Sequence, residues 1–442
     1  MKKLLLSIFA LICLDLYSQT EICGHNHQLE KRKKINPYYQ QWVDSFYAAA
    51  QAEFNDAITN KRRIVADTEY FEIPVVFHVV YNTNSQNIST ALINSQMEEL
   101  NNAYRRRNAD STRIRTVFKP LYGDIRIQFK LATVDPNGNP TTGITRTSTL
   151  KTTFGTSMGS YVEDMKSTVN GGKDAWNPRK YLNIWICNMQ YPNIGAIVYG
   201  FATPPDGSPN WENFPNATKD TFDNETGVVL HYEIVGRNNP QASARYKEGK
   251  TAIHEVGHYL GLRHIWGDGG FNGCNVDDGI EDTPNARVAS SNCNGQNTCT
   301  DASNDKPDQT ENYMDYALDG CAAMFTNGQA FMMRYVLQNL RTGLPFRKIN
   351  YTNVVDDFKF NVYPNPQKAN QDIKLELSSP DNKVYKVKII NSIGQQLLEN
   401  SIKTNSILTI DNDQLTDSIY FILLLDENNN VVERKKVVNL EG

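Results

Sequence analysis

Apolar residues follow two periodicities in this chain, and each periodicity predicts one kind of element. Every second residue from 125 to 131 is apolar, which predicts a strand with one buried face. From 93 to 104 apolar residues recur every three or four positions, as they do on one face of a helix. Together these patterns predict a mixed α and β fold for the central part of the chain.

Two further helices are expected where the local signals are stronger. One runs from about Lys250 to Leu262. The other opens at Thr326, whose hydroxyl can form a capping box with Gln329, and runs to about Leu340.

The pattern changes near residues 347–357, where Asn, Thr and Asp become frequent. Beyond this stretch, short β-type runs occur at Val384–Ile390, Leu408–Ile410 and Ile419–Leu425. Residues 358–442 are enough for a small all-β, sandwich-like module.

The amino terminus has the layout of a secretory signal peptide. Lys2 and Lys3 precede an apolar stretch that ends near Leu16, and Ser18 offers a small residue for cleavage. No later apolar run is long enough to cross a membrane. We therefore expect an exported protein with no transmembrane segment.

Three of the seven histidines lie in the segment 254–264. His254 and His258 are four residues apart, so a helix presents both on one face. Gly261 allows the chain to turn sharply, which lets His264 supply a third nitrogen. Three histidines leave a tetrahedral zinc ion one open position for water. A bare His-Glu-x-x-His also occurs in unrelated helices, but the longer pattern is far more specific.

Glu255 lies beside these histidines and is not needed as a ligand. Zinc lowers the pKa of a bound water to about 7, and Glu255 would accept its proton and pass it to the leaving amine. Met314 lies downstream in the segment Asn-Tyr-Met-Asp-Tyr, and a methionine turn after the long zinc pattern marks the metzincin clan. Met314 would form the hydrophobic floor of the zinc site.

The sequence resembles one metzincin family, the pappalysins, over most of residues 64–345. The matching features are the segments Ile73–Tyr81 and Tyr181–Ile186, the zinc motif, Asp282–Pro284, the methionine turn and Met324–Thr326. The resemblance implies an α/β (α+β) catalytic domain in which a twisted mixed sheet is backed by helices. The active-site helix would lie beneath the cleft.

The resemblance also implies two roles near the methionine turn. Tyr316 occupies the position of a tyrosine that approaches the metal and stabilises the transition state with its phenol. Asp319 matches an aspartate at the base of the S1′ pocket, where it would select Arg or Lys at P1′ through a charge-assisted hydrogen bond. A packed aromatic ring and a solvated turn are the alternatives for these two residues.

Four cysteines, Cys274, Cys293, Cys299 and Cys321, cluster in the loop-rich region after the zinc motif. They allow three pairings, and the resemblance favours Cys274–Cys299 with Cys293–Cys321. In an exported protein we expect disulfide bonds rather than the alternative, a structural zinc cluster. Cys187, on a predicted strand, is expected to be a free core thiol.

Residues 19–63 are polar, with basic clusters at 31–34 and 61–63, and precede the first strand as a pro-segment would. A thiolate is a good zinc ligand, so Cys23 would fill the open position and keep a zymogen latent. His25 and His27 are competing candidates, and an unpaired thiol in a flexible leader is the alternative. With a preference for Arg or Lys at P1′, the cluster 61–63 would be a self-cleavage site.

Asp278, Asp282 and Thr283 bring carboxylate and hydroxyl oxygens into one short segment. Hard oxygen ligands suit calcium, and the resemblance implies calcium near this segment. A merely solvated acidic loop is the alternative.

Residues 358–442 resemble the C-terminal sorting domain of type IX secretion cargo. The matching features are Phe360–Pro366, Ile393–Gly394, Leu415, Tyr420 and the basic ending Glu433–Val438. The resemblance implies export through the periplasm to the cell surface or the medium by the type IX secretion machinery. An adhesive or carbohydrate-binding module is the alternative.

The expected organisation follows from these segments. It comprises a signal peptide at 1–18, a pro-segment at 19–63, a catalytic domain at 64–347, a linker at 348–357 and a sorting domain at 358–442. With 45 basic and 49 acidic residues the chain shows no sign of nucleic-acid binding. We expect a monomer that acts on proteins or peptides.

Two functions remain open at this point. The first is a secreted zinc endopeptidase made as a latent zymogen. The second is a catalytically inactive surface binding or adhesion protein on a metzincin-like scaffold. Glu255 favours the first, because an inactive domain has no chemical need for it.

Overall fold

The computed structural model describes residues 23–60, 70–157, 160–161, 163–190, 197–205, 225–268, 273–301, 305–344, 359–367, 371–378, 383–415, 417–427 and 429–439. The signal peptide expected at 1–18 and the basic cluster at 61–63 lie outside these residues. The chain divides into two compact units near residue 348.

Two helices begin the described part of the first unit: α1 (His25–Ile35) and α2 (Tyr39–Thr59). The buried residues of α2 recur every three to five positions along one face; they are Tyr39, Trp42, Tyr47, Ala50, Phe54 and Ala57. Three of them belong to the main hydrophobic core of the unit. The polar composition of residues 19–63 concealed this helix, although the spacing of its aromatic residues would have revealed it.

The strands of the first unit are β1 (Phe71–Tyr81), β2 (Ile127–Leu131), β3 (Ile144–Ser148), β4 (Thr156–Ser157), β5 (Ser160–Tyr161), β6 (Leu182–Cys187), β7 (Gly200–Ala202) and β8 (Val228–His231). β4 pairs with β5, and the other six form one mixed sheet. β1 is long enough to pair with β2 along its first half and with β3 along its second half. Its other edge pairs with β6, which continues to β8 and β7.

Strand direction in this sheet determines where a bound segment can pair. β7 is antiparallel to β8, whereas the other pairings in the sheet are parallel. β7 is also the last strand in the sheet order. The described strands therefore leave the outer edge of β7 open to an extended segment.

Two helices pack against the sheet, α3 (Thr90–Tyr104) and α4 (Lys250–Tyr259), and a third, α5 (Asn327–Asn339), packs against α2. Ser89 caps α3 by accepting a 3.2 Å hydrogen bond from the Leu92 N–H. The capping box expected at Thr326 and Gln329 is present at the start of α5. The mixed α and β architecture is therefore confirmed.

α4 ends earlier than its sequence predicted, at Tyr259 instead of Leu262. Gly261 has a φ of 91°, in the left-handed region. Its N–H donates to His258 O at 2.9 Å, and the Leu262 N–H donates to Gly257 O at 2.9 Å. These two bonds form a Schellman motif, which stops the helix because the glycine leaves the helical conformation.

The second unit is built from β9 (Lys359–Tyr363), β10 (Ile373–Ser378), β11 (Val384–Asn391), β12 (Gln396–Lys403), β13 (Ser406–Ile410), β14 (Ile419–Leu425) and β15 (Val431–Val438). One antiparallel sheet has the order β13-β10-β9, and the other has the order β12-β11-β14-β15. Buried residues of both sheets, such as Leu375 on β10 and Ile389 on β11, belong to one core. The all-β, sandwich-like module is confirmed.

None of the helices in the described part of the chain has both the length and the apolar character that a membrane span requires.

Candidate active site

The helix end described above places three histidines around one point. His254 and His258 lie one turn apart on α4, and the turn at Gly261 returns the chain so that His264 faces them. His258 Nε2 is 3.0 Å from His254 Nε2 and 3.1 Å from His264 Nε2. All three imidazoles are buried.

The other ring nitrogens fix the tautomers of these histidines. His254 Nδ1 lies 2.7 Å from Tyr313 O, and His258 Nδ1 lies 2.8 Å from Leu262 O. His264 Nδ1 lies 3.2 Å from a carboxylate oxygen of Asp268. Since these oxygens only accept hydrogen bonds, each Nδ1 carries the proton and each Nε2 presents a lone pair to the others.

This arrangement fits a zinc ion. The lone pair of His258 lies 3.0–3.1 Å from those of the other two histidines, and such lone pairs repel one another unless a cation lies between them. Ligands of tetrahedral zinc at 2.0–2.1 Å would be about 3.3 Å apart, close to the observed separation. Burial lowers the pKa of His254 to about 3 and also lowers that of His258 and His264, which keeps the rings neutral as metal ligands require.

Glu255 lies next to this cluster on α4 and is fully buried. Burial raises the pKa of its carboxyl to about 8, and a hydrogen bond with Cys23 opposes this shift. Gly200 on β7 packs directly against the carboxylate, since a Cβ there would be 2.8 Å from Glu255 Oε1. The carboxyl group is thus held between α4 and the open edge of the sheet.

Met314 lies beneath α4, as the methionine turn predicted. It is fully buried, and a Cβ on Gly257 would come within 2.5 Å of its sulfur. The Met314 N–H donates to Asn312 Oδ1 at 2.9 Å, which fixes the turn. The same turn supplies Tyr313 O to His254, so the methionine turn orients one of the three imidazoles.

The Tyr316 ring borders the cluster and is half-buried. Its centroid lies 5.0 Å from that of His264, 5.6 Å from that of His254 and 4.7 Å from that of Trp266. The Tyr316 side chain therefore lies beside the point where the three imidazoles converge.

Asp319 lines the same cleft as His254, Glu255 and Tyr316. The Glu248 N–H donates to Asp319 Oδ2 at 2.7 Å. Burial raises the pKa of Asp319 to about 7, while the nearby Lys250 ammonium acts to lower it. The structure therefore places a carboxyl group in the wall of the cleft that contains the three histidines and Glu255.

Cys23 reaches the histidine cluster from the amino-terminal segment. Its sulfur and the ligand nitrogens of His254, His258 and His264 all lie within 4.8 Å of one another. Cys23, His25 and His27 were expected to compete for the metal. Among the described residues, Cys23 is the one of these three that belongs to the cluster. The Gly24 N–H donates to Gly200 O at 2.8 Å, so the segment pairs with the open edge of β7.

His25 contacts the site in a different way. Its ring stacks on that of His258 with centroids 3.7 Å apart and planes 6° apart. His25 Nε2 lies 3.4 Å from Asp268 Oδ2, on the same carboxyl group that approaches His264. Asp268 therefore contacts both a histidine of the cluster and a histidine of the amino-terminal segment.

The cysteine bridges stabilise the loops beside the cleft. Cys274 is bonded to Cys299 and Cys293 to Cys321, the pairing that the resemblance implied. Cys187 is a buried free thiol, as expected. Cys321 lies two residues after Asp319, so the second bridge holds the segment that carries this wall of the cleft.

The residues proposed for calcium are only partly brought together. The Thr283 hydroxyl donates to Asp278 Oδ1 at 2.7 Å. Asp282 Oδ2 instead accepts from the Gly328 N–H at 2.9 Å, at the first turn of α5. The second oxygens, Asp278 Oδ2 and Asp282 Oδ1, are buried without a hydrogen-bond partner among the described residues.

Comparison with known proteins agrees with this geometry. Residues 165–338 match the family described as pregnancy-associated plasma protein-A, and residues 361–439 match the secretion system C-terminal sorting domain. An extracellular metalloprotease of Arthroderma gypseum is 29% identical over 299 residues, which cover 66% of this chain and 82% of that protein. One of Verticillium alfalfae is 41% identical over 133 residues, which cover 29% of this chain and 44% of that protein.

Two solved structures from Tannerella forsythia are also similar. Mature mirolysin in complex with a cleaved peptide is 41% identical, with a TM-score of 0.53 over 62% of this chain and 95% of that one. A promirolysin mutant is 38% identical, with a TM-score of 0.56 over 73% of this chain and 96% of that one.

The chain belongs to the pappalysin family of metzincins, and it carries a type IX sorting domain. It is a zinc metalloendopeptidase that is exported to the cell surface or the medium. The family membership supports the peptidase over the inactive binding protein that the sequence left open.

Proposed function

We propose that this protein is a latent zinc endopeptidase that cleaves peptide bonds on the amino side of Arg or Lys. The observation that carries the proposal is the convergence of three neutral imidazoles beside the buried carboxyl group of Glu255. His254, His258 and His264 would hold the zinc ion. When bound, zinc supplies the Lewis acidity that activates water and polarises a peptide carbonyl.

Two residues of this chain would then carry the proton and charge movements, and a third would support them. Glu255 accepts the proton of the attacking water and donates it to the leaving amine. Tyr316, at the rim of the cluster, donates a hydrogen bond from its phenol to the developing oxyanion. Met314 acts only through position, because it fills the space beneath α4 and holds the turn that orients His254.

Substrate preference would come from Asp319. Its carboxylate lies in the wall of the active-site cleft and has a backbone N–H as partner for one oxygen, Oδ2. An Arg or Lys side chain at P1′ would donate to the carboxylate, with two parallel bonds available to Arg.

Latency would come from the segment that contains Cys23. The position of Cys23 among the three histidines supports a thiolate that occupies the water position and blocks the open edge of β7. The match to promirolysin covers 73% of this chain against 62% for mature mirolysin, which supports a pro-segment at the amino terminus.

Contacts further along α1 support the same proposal. Lys31 Nζ lies 2.9 Å from Glu163 Oε1 and 2.7 Å from Glu225 Oε2. The Gln28 side-chain amide also donates to Glu163 Oε1, at 3.1 Å. These contacts hold α1 on the catalytic unit one and two turns after His25, which keeps Cys23 in place.

Calcium is proposed for the segment of Asp278, Asp282 and Thr283. Two buried carboxylate oxygens without hydrogen-bond donors support a cation there, because unpaired buried carboxylates are costly. Calcium should raise the unfolding temperature of the full chain by several degrees and leave that of Asp278→Asn unchanged. An equal shift in both proteins would place calcium elsewhere.

The test of the proposed activity is a digest of a proteome-derived peptide library by the matured enzyme. The digest is run with and without a zinc chelator, and the Glu255→Ala variant is assayed in parallel. We expect chelator-sensitive cleavage before Arg or Lys that is lost in the variant. Cleavage with another preference would retain the mechanism and reject the role of Asp319, and cleavage by Glu255→Ala at the normal rate would reject the general base.

A further inference from the structure

We propose that the catalytic unit carries a second binding site, separate from the active-site cleft, for an aromatic amphipathic helix. Its ligand is α2 of this chain, which stays bound after the chain is cut between α2 and β1 and can rebind once released. The inference builds on the proposed maturation, because α2 becomes a separate ligand only when residues 61–69 are cut.

The site is a groove behind the turn that carries the third histidine. On the catalytic side its apolar wall is formed by Pro204, Pro205, Leu262, Val336 and Leu340, which face α2 across the groove. His258 and Asp268 also border the groove, but none of its five apolar residues lines the cleft that contains Glu255 and Asp319. The groove can therefore be filled without closing the cleft.

Two aromatic side chains of α2 contact rings on α5. The Phe46 ring lies 5.0 Å from that of Tyr335, and the Phe54 ring lies 5.3 Å from that of Phe331. Phe54 and Phe331 are both buried. Because large buried aromatic residues dominate the affinity of helix-in-groove complexes, these two positions should act as anchors.

Polar contacts fix the orientation of α2 on this groove. The Tyr47 hydroxyl donates to Gly261 O, and the Tyr39 hydroxyl donates to Pro205 O at 3.2 Å. The Arg263 guanidinium lies over the Tyr47 ring at 4.2 Å and pairs with Asp44 at 2.9 Å. Hydroxyl groups of α2 thus donate to carbonyl groups at Gly261 and Pro205, which a purely apolar helix could not do.

The sequence makes α2 a fragment that survives maturation. Residues 36–60 contain no Lys and no Arg, whereas the clusters at 31–34 and 61–63 border them on both sides. An enzyme that cuts before Arg or Lys would release this segment intact. A free helix of this length is only marginally stable in water, so the groove would fold the segment as it binds.

Affinity and blockage would therefore reside in different parts of the pro-segment. α2 supplies most of the binding through its aromatic face, while Cys23 supplies the blockage of the cleft. A peptide of residues 36–60 should bind the mature enzyme without slowing the cleavage of a short substrate. A peptide of residues 19–60 should bind and inhibit.

The experiment measures fluorescence anisotropy of a labelled 36–60 peptide with the mature enzyme, in competition with unlabelled variants. Substitutions are placed in the peptide, so the enzyme remains wild type and its folding is not at issue. Phe46→Ala and Phe54→Ala should each weaken binding at least about tenfold. Ile58→Ala, a matched apolar truncation at a side chain that is 56% exposed, should change binding less than about twofold.

The outcomes separate this inference from the proposed latency. Binding of the 36–60 peptide with the expected ranking, together with a 19–60 peptide that binds without inhibiting, would support the groove and reject the Cys23 blockage. Absence of saturable binding at about 100 µM peptide, or an Ile58→Ala effect as large as that of Phe54→Ala, would overturn the groove whatever the result for Cys23.

Discussion

The α carbon of Gly200 lies against the side chain of Glu255. A methyl group at Gly200 would stand 2.6 Å from Glu255 Cγ and 2.8 Å from Oε1, both well inside van der Waals contact. Gly200 is on β7, the strand with the open edge, and Glu255 is fully buried on α4. The sheet edge that a substrate would use therefore also limits where the proposed general base can lie.

We predict that Gly200→Ala lowers kcat/KM by about 100-fold, because a carboxylate displaced by about 1 Å loses its alignment with the attacking water. Zinc content should be unchanged, since the three atoms nearest to a Cβ at Gly200 all belong to Glu255. Gly320→Ala is the matched control, because a Cβ there meets nothing within 4 Å. A Gly200→Ala enzyme with normal kcat/KM would show that catalysis does not depend on the close packing of Gly200 against the Glu255 carboxylate.

The preference for basic P1′ residues should depend on pH through Asp319. Burial raises the pKa of this carboxyl to about 7. Below that pH the carboxyl is protonated and neutral, and above it the carboxylate attracts Arg or Lys. The ratio of kcat/KM for a P1′ Arg peptide to that for a P1′ Leu peptide should therefore rise between pH 5 and pH 8.

This ratio cancels ionisations that both substrates share, because the two peptides use the same catalytic groups. Removal of the pro-segment rehydrates the cleft, so the midpoint in the mature enzyme should lie at or below about pH 7. Asp319→Asn should give a low ratio that does not change with pH. A strong, pH-independent preference for Arg in this variant would assign P1′ selection to another residue.

Asp268 should support the zinc site from outside the ligand set. It approaches His264 Nδ1 at 3.2 Å and also accepts from the His264 N–H, at 3.2 Å. Partners of this kind typically contribute 10–100-fold to metal affinity, so Asp268→Ala should raise the zinc dissociation constant by about that factor. Competition with a calibrated chelator measures the constant.

Asp44→Ala is the control for Asp268→Ala, because Asp44 pairs with the same Arg263 but is not paired with a histidine of the cluster. Its zinc affinity should match that of the wild-type protein. Equal losses in both variants would show that Arg263, not the contact with His264, accounts for the effect.

Lys31 should slow activation of the full chain. Its ammonium joins α1 to Glu163 and Glu225. The Glu163 side chain is nearly fully buried and stays charged, because the Lys166 and Lys31 ammoniums lower the pKa of Glu163 to about 2. Lys31→Ala leaves this carboxylate one cation short, so we expect activation to be several-fold faster. The time course of pro-segment loss on a gel measures it.

Lys33→Ala provides the comparison on the same helix. Lys33 pairs with Glu30 of α1 at 3.0 Å, on the exposed side. Its removal should leave the activation rate unchanged. If both variants activate equally fast, loss of helix charge rather than the contact with Glu163 would be responsible.

The zinc site was predictable because its determinants are local in sequence. His254 and His258 are related by one helical turn, and Gly261 marks the end of that turn, so spacing alone places three nitrogens together. Met314 required the motif of the metzincin clan, and the cysteine pairing required the family resemblance. Several strands and helices also followed from local periodicity, within a few residues at their ends, among them β2, β11, β14 and α3.

The rest of the site depends on contacts between distant segments, which a single sequence does not specify. Nothing near Gly200 indicates that β7 packs on Glu255, and nothing near Asp268 indicates that it receives His25. α2 is a different case. Its apolar spacing was visible, but the surrounding polar and basic residues suggested a leader without a core-facing helix.

The central claim is that Cys23 and the three histidines together hold the zinc ion of the latent enzyme. Zinc K-edge X-ray absorption of the full-length, uncleaved chain tests it directly. We predict one sulfur at about 2.3 Å and three nitrogens at about 2.0–2.1 Å, with the sulfur replaced by a light atom in Cys23→Ser. A spectrum without a zinc–sulfur distance, identical in the wild-type and Cys23→Ser proteins, would contradict the claim.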